Sequence, residues 1–378
     1  MGSINLKNKP SFLISGISEE AILRWLVFLL SLLIGGVPGL LAIVVAQLLF
    51  EFSAKYAFGK ARRNSLENTG VKPAHPVSRL GGIVVIAFVW LSCLWLGFVG
   101  NQFLFDRDVI VLLSASSSMF LIGLADDFEL PMGSKIKFAL MLAVVGLFFW
   151  FFPESLELTK SSLMFHSSVA YVFILFALVI MVKSFNTIDG ANGLVSGVSL
   201  SICIALIQLG LGLTGGLLAL VATGCTIFML FNVVVGRIFL GVGGAYFLGS
   251  VLVFTMISVL VDNLASPWYL LCLVFYPHAD LLFSLLRRKW VGKSVFGSDN
   301  GHLHNLIYRK LSSIPLMKPY ANTTTGLAIA ATFAVVPLLV WNYISAVNWM
   351  LVYAGLWFLY ASAWVLLSDH KTRDLMII

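Results

Sequence analysis

Eleven apolar stretches recur along the 378-residue chain, near residues 22–52, 81–100, 108–125, 138–152, 169–185, 194–211, 213–235, 244–261, 267–286, 324–343 and 347–367. A helix needs about 20 apolar residues to cross the hydrocarbon of a bilayer. The pattern therefore predicts an all-α, polytopic membrane protein of about 10–11 transmembrane helices. Composition agrees: 60% of residues are hydrophobic and 11% charged, too little polar surface for a soluble domain of this length. The first stretch is interrupted by "GGVPG" at 35–39, so residues 22–52 either cross once or form two segments. That stretch lacks a clear cleavage site and reads as a retained span. No soluble domain and no internal repeat stand out. The chain reads as one integral membrane domain over 1–378, with a long loop at 287–323. Cys93, Cys203, Cys225 and Cys272 all fall in apolar runs without a CxxC pair, which suits small buried residues better than zinc or redox chemistry.

Charge orients the spans. With eleven of them, the loops on one side carry nineteen lysines and arginines, among them Arg79, Lys135, Lys137, Lys183, Arg237, Arg287 and Arg288. The opposite loops carry Arg107 and Lys160. The basic side is cytoplasmic by the positive-inside bias. Asp126, Asp127, Asp189, Asp280, Asp299, His75, His302 and His304 fall in or beside those same loops, so any chemistry is expected at the cytoplasmic face.

Five segments carry that chemistry. "GLADDFELP" (123–131) puts Asp126 and Asp127 at the mouth of a membrane helix. Adjacent carboxylates repel unless a cation lies between them or one keeps its proton. Magnesium suits the place, because it takes carboxylate oxygens and completes its shell with substrate phosphates. The plainer reading is a solvated loop with acids beside Lys135 and Lys137. "SFNTIDGANGLVSG" (184–197) spaces Asn186, Asp189 and Asn192 by three and interleaves glycines that let backbone approach a ligand. Its alternative is an ordinary turn. "RIFLGVGGAYFLG" (237–249) reads equally as a ligand loop or as tight helix packing. "FGSDNGHLHN" (296–305) sets His302 and His304 two apart, on one face of an extended segment. Two histidines without a third ligand make a poor zinc site, and the basic neighbours suit a diphosphate better. "HPVSRLGG" (75–82) adds His75 and Arg79. "YPHAD" (276–280) places His278 and Asp280 inside a span, as a functional group or as satisfied interhelical partners.

Taken in order, these segments resemble the polyprenyl-phosphate N-acetylhexosamine-1-phosphate transferases, the membrane superfamily that makes the first lipid intermediate of peptidoglycan and initiates O-antigen or enterobacterial common antigen. The likeness runs from about residue 70 to 310, and "GGAY" with "HLHNLIYR" looks closest to the O-antigen branch. The resemblance implies that Asp126, Asp127 and Asp189 are catalytic and hold Mg2+ (or Mn2+). It implies substrate contacts from Asn186, Asn192, Phe239, His75, Arg79, Lys135, His302 and His304, with Phe239 lining a uridine pocket. The implied partners are a UDP-N-acetylhexosamine, polyprenyl (undecaprenyl) phosphate and membrane lipids, with no nucleic acid and with a homodimer left open. The implied place is the bacterial inner membrane. One position departs from the pattern: the third glycine-rich motif normally reads Gly-Asp, the aspartate binding magnesium, and here it is Gly241-Val242. That leaves an impaired relative as one alternative. A transporter of anionic solutes is the other, although it would predict inverted repeats and mid-membrane polar residues.

Overall fold

The computed structural model describes residues 36–42, 44, 45, 48, 78–99, 106–156, 167–236, 238–290, 292, 299–340, 345 and 348–368. Within them run α1 (Gly81–Phe98), α2 (Arg107–Asp127), α3 (Ser134–Phe151), α4 (Ser167–Thr187), α5 (Leu194–Ile207), α6 (Gly212–Leu230), α7 (Gly241–Val261), α8 (Pro267–Leu273), α9 (Phe275–Trp290), α10 (Leu303–Ser312), α11 (Ala321–Ala330), α12 (Val336–Val340) and α13 (Asn348–Leu367). Eight helices among the described residues are long and apolar enough to cross a membrane, counting α11 and α12 as one through the π-turn Ala331–Val335. The all-α polytopic expectation therefore holds.

Two expected spans differ. The 194–211 stretch yields only the 14-residue α5, about 21 Å at 1.5 Å per residue, too short to cross alone. It buries Ser196, Ser199 and Ser201 against neighbours instead of facing lipid. The 267–286 stretch is broken at Val274, where α8 and α9 meet at 79°. The 287–323 segment is not a plain loop, since it carries α10. The question of how residues 22–52 are divided falls largely outside the described residues.

Helix α7 is the axis of the bundle. Almost every residue from Gly241 to Val259 is buried, and small residues let its neighbours approach closely. A Cβ on Gly123 of α2 would stand 2.7 Å from the Gly243 Cα, and one on Gly82 of α1 would collide with the Gly244 backbone. On the far side Gly249 seats the Phe185 ring of α4, and Phe254 stacks on Phe148 of α3 with centroids 4.4 Å apart. In lipid, where water does not drive helices together, such backbone-to-backbone contact is a main source of association. Of the two readings of the 237–249 segment, the glycines at 243, 244 and 249 show the helix-packing one.

A short extended pairing closes one end. Ser78 and Ile238 pair in parallel. The Phe239 amide donates to Ser78 O at 2.8 Å, and the Gly81 and Gly82 amides donate to Phe239 O and Leu240 O at 3.0 and 2.7 Å. The starts of α1 and α7 are thereby fixed in register. Helix α2 ends beside them: the Leu130 amide returns to Ala125 O at 2.9 Å, with Glu129 held at φ 55°.

Gly123→Ala should lower thermal stability in detergent by about 1–3 kcal/mol, the scale of overpacking. Gly146→Ala, whose new Cβ meets nothing within 4 Å, should hold or raise it, because alanine favours helix by about 1 kcal/mol. Equal melting shifts for the two variants would refute the packing argument.

Candidate functional site

Helix α7 begins with free amides, as every helix does, but the groups that satisfy them come from α2 and from the turn after α4. Asp127 accepts from the Val242 amide at 2.9 Å through Oδ1 and from the Gly243 amide at 2.8 Å through Oδ2. Asp189, in the turn after α4, accepts from the Gly241 amide at 2.8 Å. Two carboxylates thus sit on three successive amides at the positive end of the helix dipole, where negative charge is favoured. Gly241 has φ 80°, and a Cβ there would collide with Arg79 O and stand 2.8 Å from Asp127 Oδ2. Only glycine fits this position.

Arg79 lies within electrostatic reach of both carboxylates. Asp127 is almost wholly buried, whereas Asp189 keeps part of its surface. Burial raises the Asp189 carboxyl to about 6, against the opposing charge of Arg79 and the bonds from Gly241 and Leu240.

The twin aspartates diverge. Asp126 points to the rim and pairs with Lys137 at 2.5 Å, its side chain 40% exposed. Lys135 is exposed on the first turn of α3; Lys137, two residues on and facing α2, is the lysine that pairs with Asp126. Lys183 lies over the Phe138 ring beside it, at 5.9 Å. The 3.6-residue period of α3 separates the two lysines by most of half a turn, a signal readable once the helix start at Ser134 is known.

The middle motif divides too. Asn186 stands half-buried in the last turn of α4, and its carbonyl receives the Asp189 amide at 3.4 Å. Asn192 is buried in a neutral amide cluster instead: its Oδ1 accepts from Asn232 and Asn322 at 3.5 and 3.4 Å, and its Nδ2 donates to Thr323 at 3.4 Å. Asn232 also takes the Gly193 amide at 2.6 Å and donates to Ile238 O at 2.7 Å. Asn192 therefore ties α5, α6 and α11 together beneath the site. Phe239 is half-buried on the paired segment next to Gly241. His75 lies outside the described residues.

The histidines arrive from α10. His302 caps that helix in an extended conformation and His304 lies in its first turn; their rings stack at 5.4 Å and 7°. His304 is buried against Gly190, where a Cβ would lie 2.8 Å from Nε2. That places His304 beside the Asp189 turn. Its burial lowers the imidazole to about 4, so it is neutral at pH 7. His278 is the satisfied interhelical partner, with Nδ1 2.7 Å from Val274 O and Nε2 2.8 Å from the Tyr353 hydroxyl.

A metal is tested by this donor set. Among the described residues no three His, Cys, Asp or Glu side chains form a group able to hold an ion alone. Yet a carboxylate offers about four lone-pair directions, and the amides of α7 use only part of those on Asp127 and Asp189. Magnesium commonly binds one or two carboxylates and completes its shell with substrate phosphates and water. The residues suit an ion shared with a phosphate ligand. Val242 is buried and adds no oxygen.

Comparisons with known proteins agree on one family. Residues 109–260 match the family described as glycosyl transferase family 4, a span that runs from α2 to the end of α7. An undecaprenyl-phosphate alpha-N-acetylglucosaminyl 1-phosphate transferase of Thermotoga maritima is 30% identical over 211 residues, covering 55% of this chain and 64% of that protein. The Escherichia coli protein of the same name is 27% identical over 293 residues, 71% of this chain and 76% of its own. A phospho-N-acetylmuramoyl-pentapeptide-transferase of Staphylococcus saprophyticus is 24% identical over 286 residues, 70% and 87%.

The neighbouring aspartates should respond differently to truncation. Asp127→Ala leaves two buried amides without partners, at about 1–3 kcal/mol each. Asp126→Ala breaks a half-exposed ion pair worth about 0–1 kcal/mol. Thermal melts of the two variants should therefore separate clearly, with Asp127→Ala the less stable; a larger loss for Asp126→Ala would overturn the geometry.

Proposed function

Because the chain belongs to the polyprenyl-phosphate hexosamine-1-phosphate transferase superfamily, we propose that it moves a sugar 1-phosphate from a nucleotide sugar to polyprenyl phosphate. The observation that carries this reading is the meeting of four separated motifs at one end of the bundle: the Arg79 segment, Asp127 and the Asp189 turn converge on the start of α7, and His304 packs against Gly190 in that turn. The finer reading is a UDP-N-acetylhexosamine donor and undecaprenyl phosphate acceptor, at the cytoplasmic face of a bacterial inner membrane, in the initiation of O-antigen or another envelope polysaccharide.

In that reaction an oxygen of the lipid phosphate bonds to the β-phosphorus of the UDP-sugar. The bond from that phosphorus to the bridging oxygen breaks, and UMP leaves with the electron pair. Little covalent chemistry is asked of the protein, so positioning and charge dominate. Arg79 and the α3 lysine Lys137 supply positive charge toward phosphates. Asp126, at the open rim, has room to accept the lipid phosphate's proton, while Asp127 is bound to two amides and holds α7 in place. Asp127 and Asp189 are the carboxylates that would hold Mg2+ or Mn2+ together with the diphosphate; the ion would neutralise charge that develops on the transferring phosphoryl group.

A second reading follows from Val242, which stands buried where the resemblance expects a carboxylate: a relative whose transfer is impaired. One experiment separates the two. Purified protein is given UDP-N-acetylglucosamine and magnesium, with and without polyprenyl phosphate, and UMP is measured for the native chain and for Val242→Asp. Acceptor-dependent UMP release by the native chain supports the transferase. Release only after Val242→Asp, with a gain of about a hundredfold or more, equivalent to about 2.7 kcal/mol, supports the impaired relative. No acceptor-dependent release from either, in folded protein, overturns both.

The pH dependence carries a definite sign. The raised Asp189 carboxyl takes a proton as pH falls through about 6, and a neutral acid no longer favours a shared cation. Ligand-supported transfer should therefore drop on the acid side of pH 6. Stability should move the other way: a folded-state value raised above the usual carboxylate range contributes stability below about pH 4 and loses it as pH rises through 6. Paired activity and melting profiles that fall together below pH 6 would contradict this.

A further inference from the structure

Asp280 has no part in the chemistry above, yet it is fully buried inside the bent α8–α9 segment. An acid at such depth is costly and is kept where it has partners and a role. Two hydrogen-bond donors and one imidazole, from separate elements, converge on it. The Leu303 amide at the start of α10 donates to Oδ1 at 3.1 Å, and the Tyr360 hydroxyl of α13 donates to the same oxygen at 2.7 Å. His302 places Nδ1 2.7 Å from Oδ2. The other ring nitrogen of His302 faces Asp299 at 3.9 Å, and Asp299 is itself held by Arg287, Ser284 and the Gly301 amide. His304, stacked on His302, lies 3.8 Å from Asp280 through Nδ1 and 3.3 Å from the Tyr276 hydroxyl, with its Nε2 edge turned to Gly190.

We propose that Asp280 is a positioning residue that clamps the His302–His304 pair against the Asp189 turn and holds His302 as a cation there. The clamp has two separable parts. Oδ1 binds the backbone of α10 and the last helix, which is mechanical. Oδ2 binds only the imidazoles, which sets ring orientation, tautomer and charge. The groups facing His302 are Asp280 and Arg287 from α9, Asp299 and His304 from its own segment, and Tyr360 reaching Asp280 from α13. Burial works against a charged His302, but the two carboxylates outweigh it and raise the imidazole above its ordinary value. The proposed pair has one charged and one neutral ring, with His304 against the Asp189 turn and His302 stacked on it. The proposal rests on the transferase reading only for the statement that a diphosphate lies beside that turn.

The test uses full-length protein in nanodiscs with 15N-labelled histidine, the His302 signals being assigned with His302→Gln. Asp280→Asn keeps an oxygen for Leu303 and Tyr360 but removes the charge; Tyr360→Phe weakens the mechanical part and leaves His302 its carboxylate. In the native protein at pH 7.5 His302 should show both ring nitrogens protonated. In Asp280→Asn it should be neutral, and in Tyr360→Phe still charged. The alkaline limb of UMP-releasing transfer should move to lower pH by about 1–3 units in Asp280→Asn, the effect of one close carboxylate, and stay in place in Tyr360→Phe. A His302 that remains charged in Asp280→Asn, or equal spectral changes in both variants, would leave Asp280 a structural clamp and overturn the proposal. Should Asp280→Asn not fold, a neutral His302 in the native protein at pH 7.5 does the same. A charged native His302 that collapses in Asp280→Asn, in protein that releases no UMP, upholds the clamp and rejects the transferase reading alone.

Discussion

The amides at the start of α7 set the terms for the rest of the molecule. Unsatisfied backbone groups are expensive near hydrocarbon, and so are carboxylates. Bonding Asp127 and Asp189 to Gly241, Val242 and Gly243 removes both costs with the same contacts. The bonds require α2 and the turn after α4 to reach α7 at one level, and the facing glycines at 82, 123, 243 and 244 let the helices come close enough. Site and packing are consequently one constraint: any side chain that pushed α2 from α7 would also withdraw Asp127 from its amides.

Charge at this end of the bundle is nearly balanced before any ligand arrives. Asp127 and Asp189 face Arg79, Asp126 faces Lys137, and Asp280 with Asp299 face His302 and Arg287. An incoming diphosphate would tip the balance negative. A shared divalent ion would restore it, and so would the rearrangement of Lys137 away from Asp126. The neutral residues shape this balance as much as the charged ones. Asn192 lies among Asn232, Asn322 and Thr323 with every contact neutral. An aspartate there would add a buried charge and lose the Thr323 bond. Val242 leaves one fewer anion near Asp189 than the resemblance implies.

Much of this was legible in the chain. Runs of apolar residues identified most spans, because bilayer thickness leaves one length scale to match, and the basic residues sorted the polar motifs onto one side. Sequence also indicated that Asp127, Asp189 and the histidines belong together. It did not separate Asp126 from Asp127, since the difference depends on which face of the last turn of α2 meets α7. Nor did it distinguish Lys135 from Lys137, for the same reason on α3. The break at Val274 has no hydropathy signal: apolar residues run unchanged through it, and only the Pro277 and Asp280 pair in "YPHAD" marks an interruption. The amide partners of Asn192 had no signal in the chain, because turn residues that bind ligands and turn residues that bind each other have the same composition. Tyr360, 80 residues from Asp280, had no local signal at all.

The distant tyrosine also explains why α10 and α13 lie beyond the segment matched to the family yet remain part of the site. Residues 109–260 supply the carboxylates and the amides that receive them. They do not supply the imidazoles. Those are brought in by α10, a short amphipathic helix without the length to anchor itself in lipid. Its position is imposed by contacts at both ends of the 299–304 segment: Asp280 takes the Leu303 amide, and the Trp364 indole of α13 donates to Gly301 O at 2.7 Å while Arg287 stacks over its ring. A Cβ on Gly301 would meet the Arg287 guanidinium, which would then have to shift. The histidine segment is thus held between a broken helix and the last helix of the bundle. Its placement beside Asp189 depends on packing that no single motif contains.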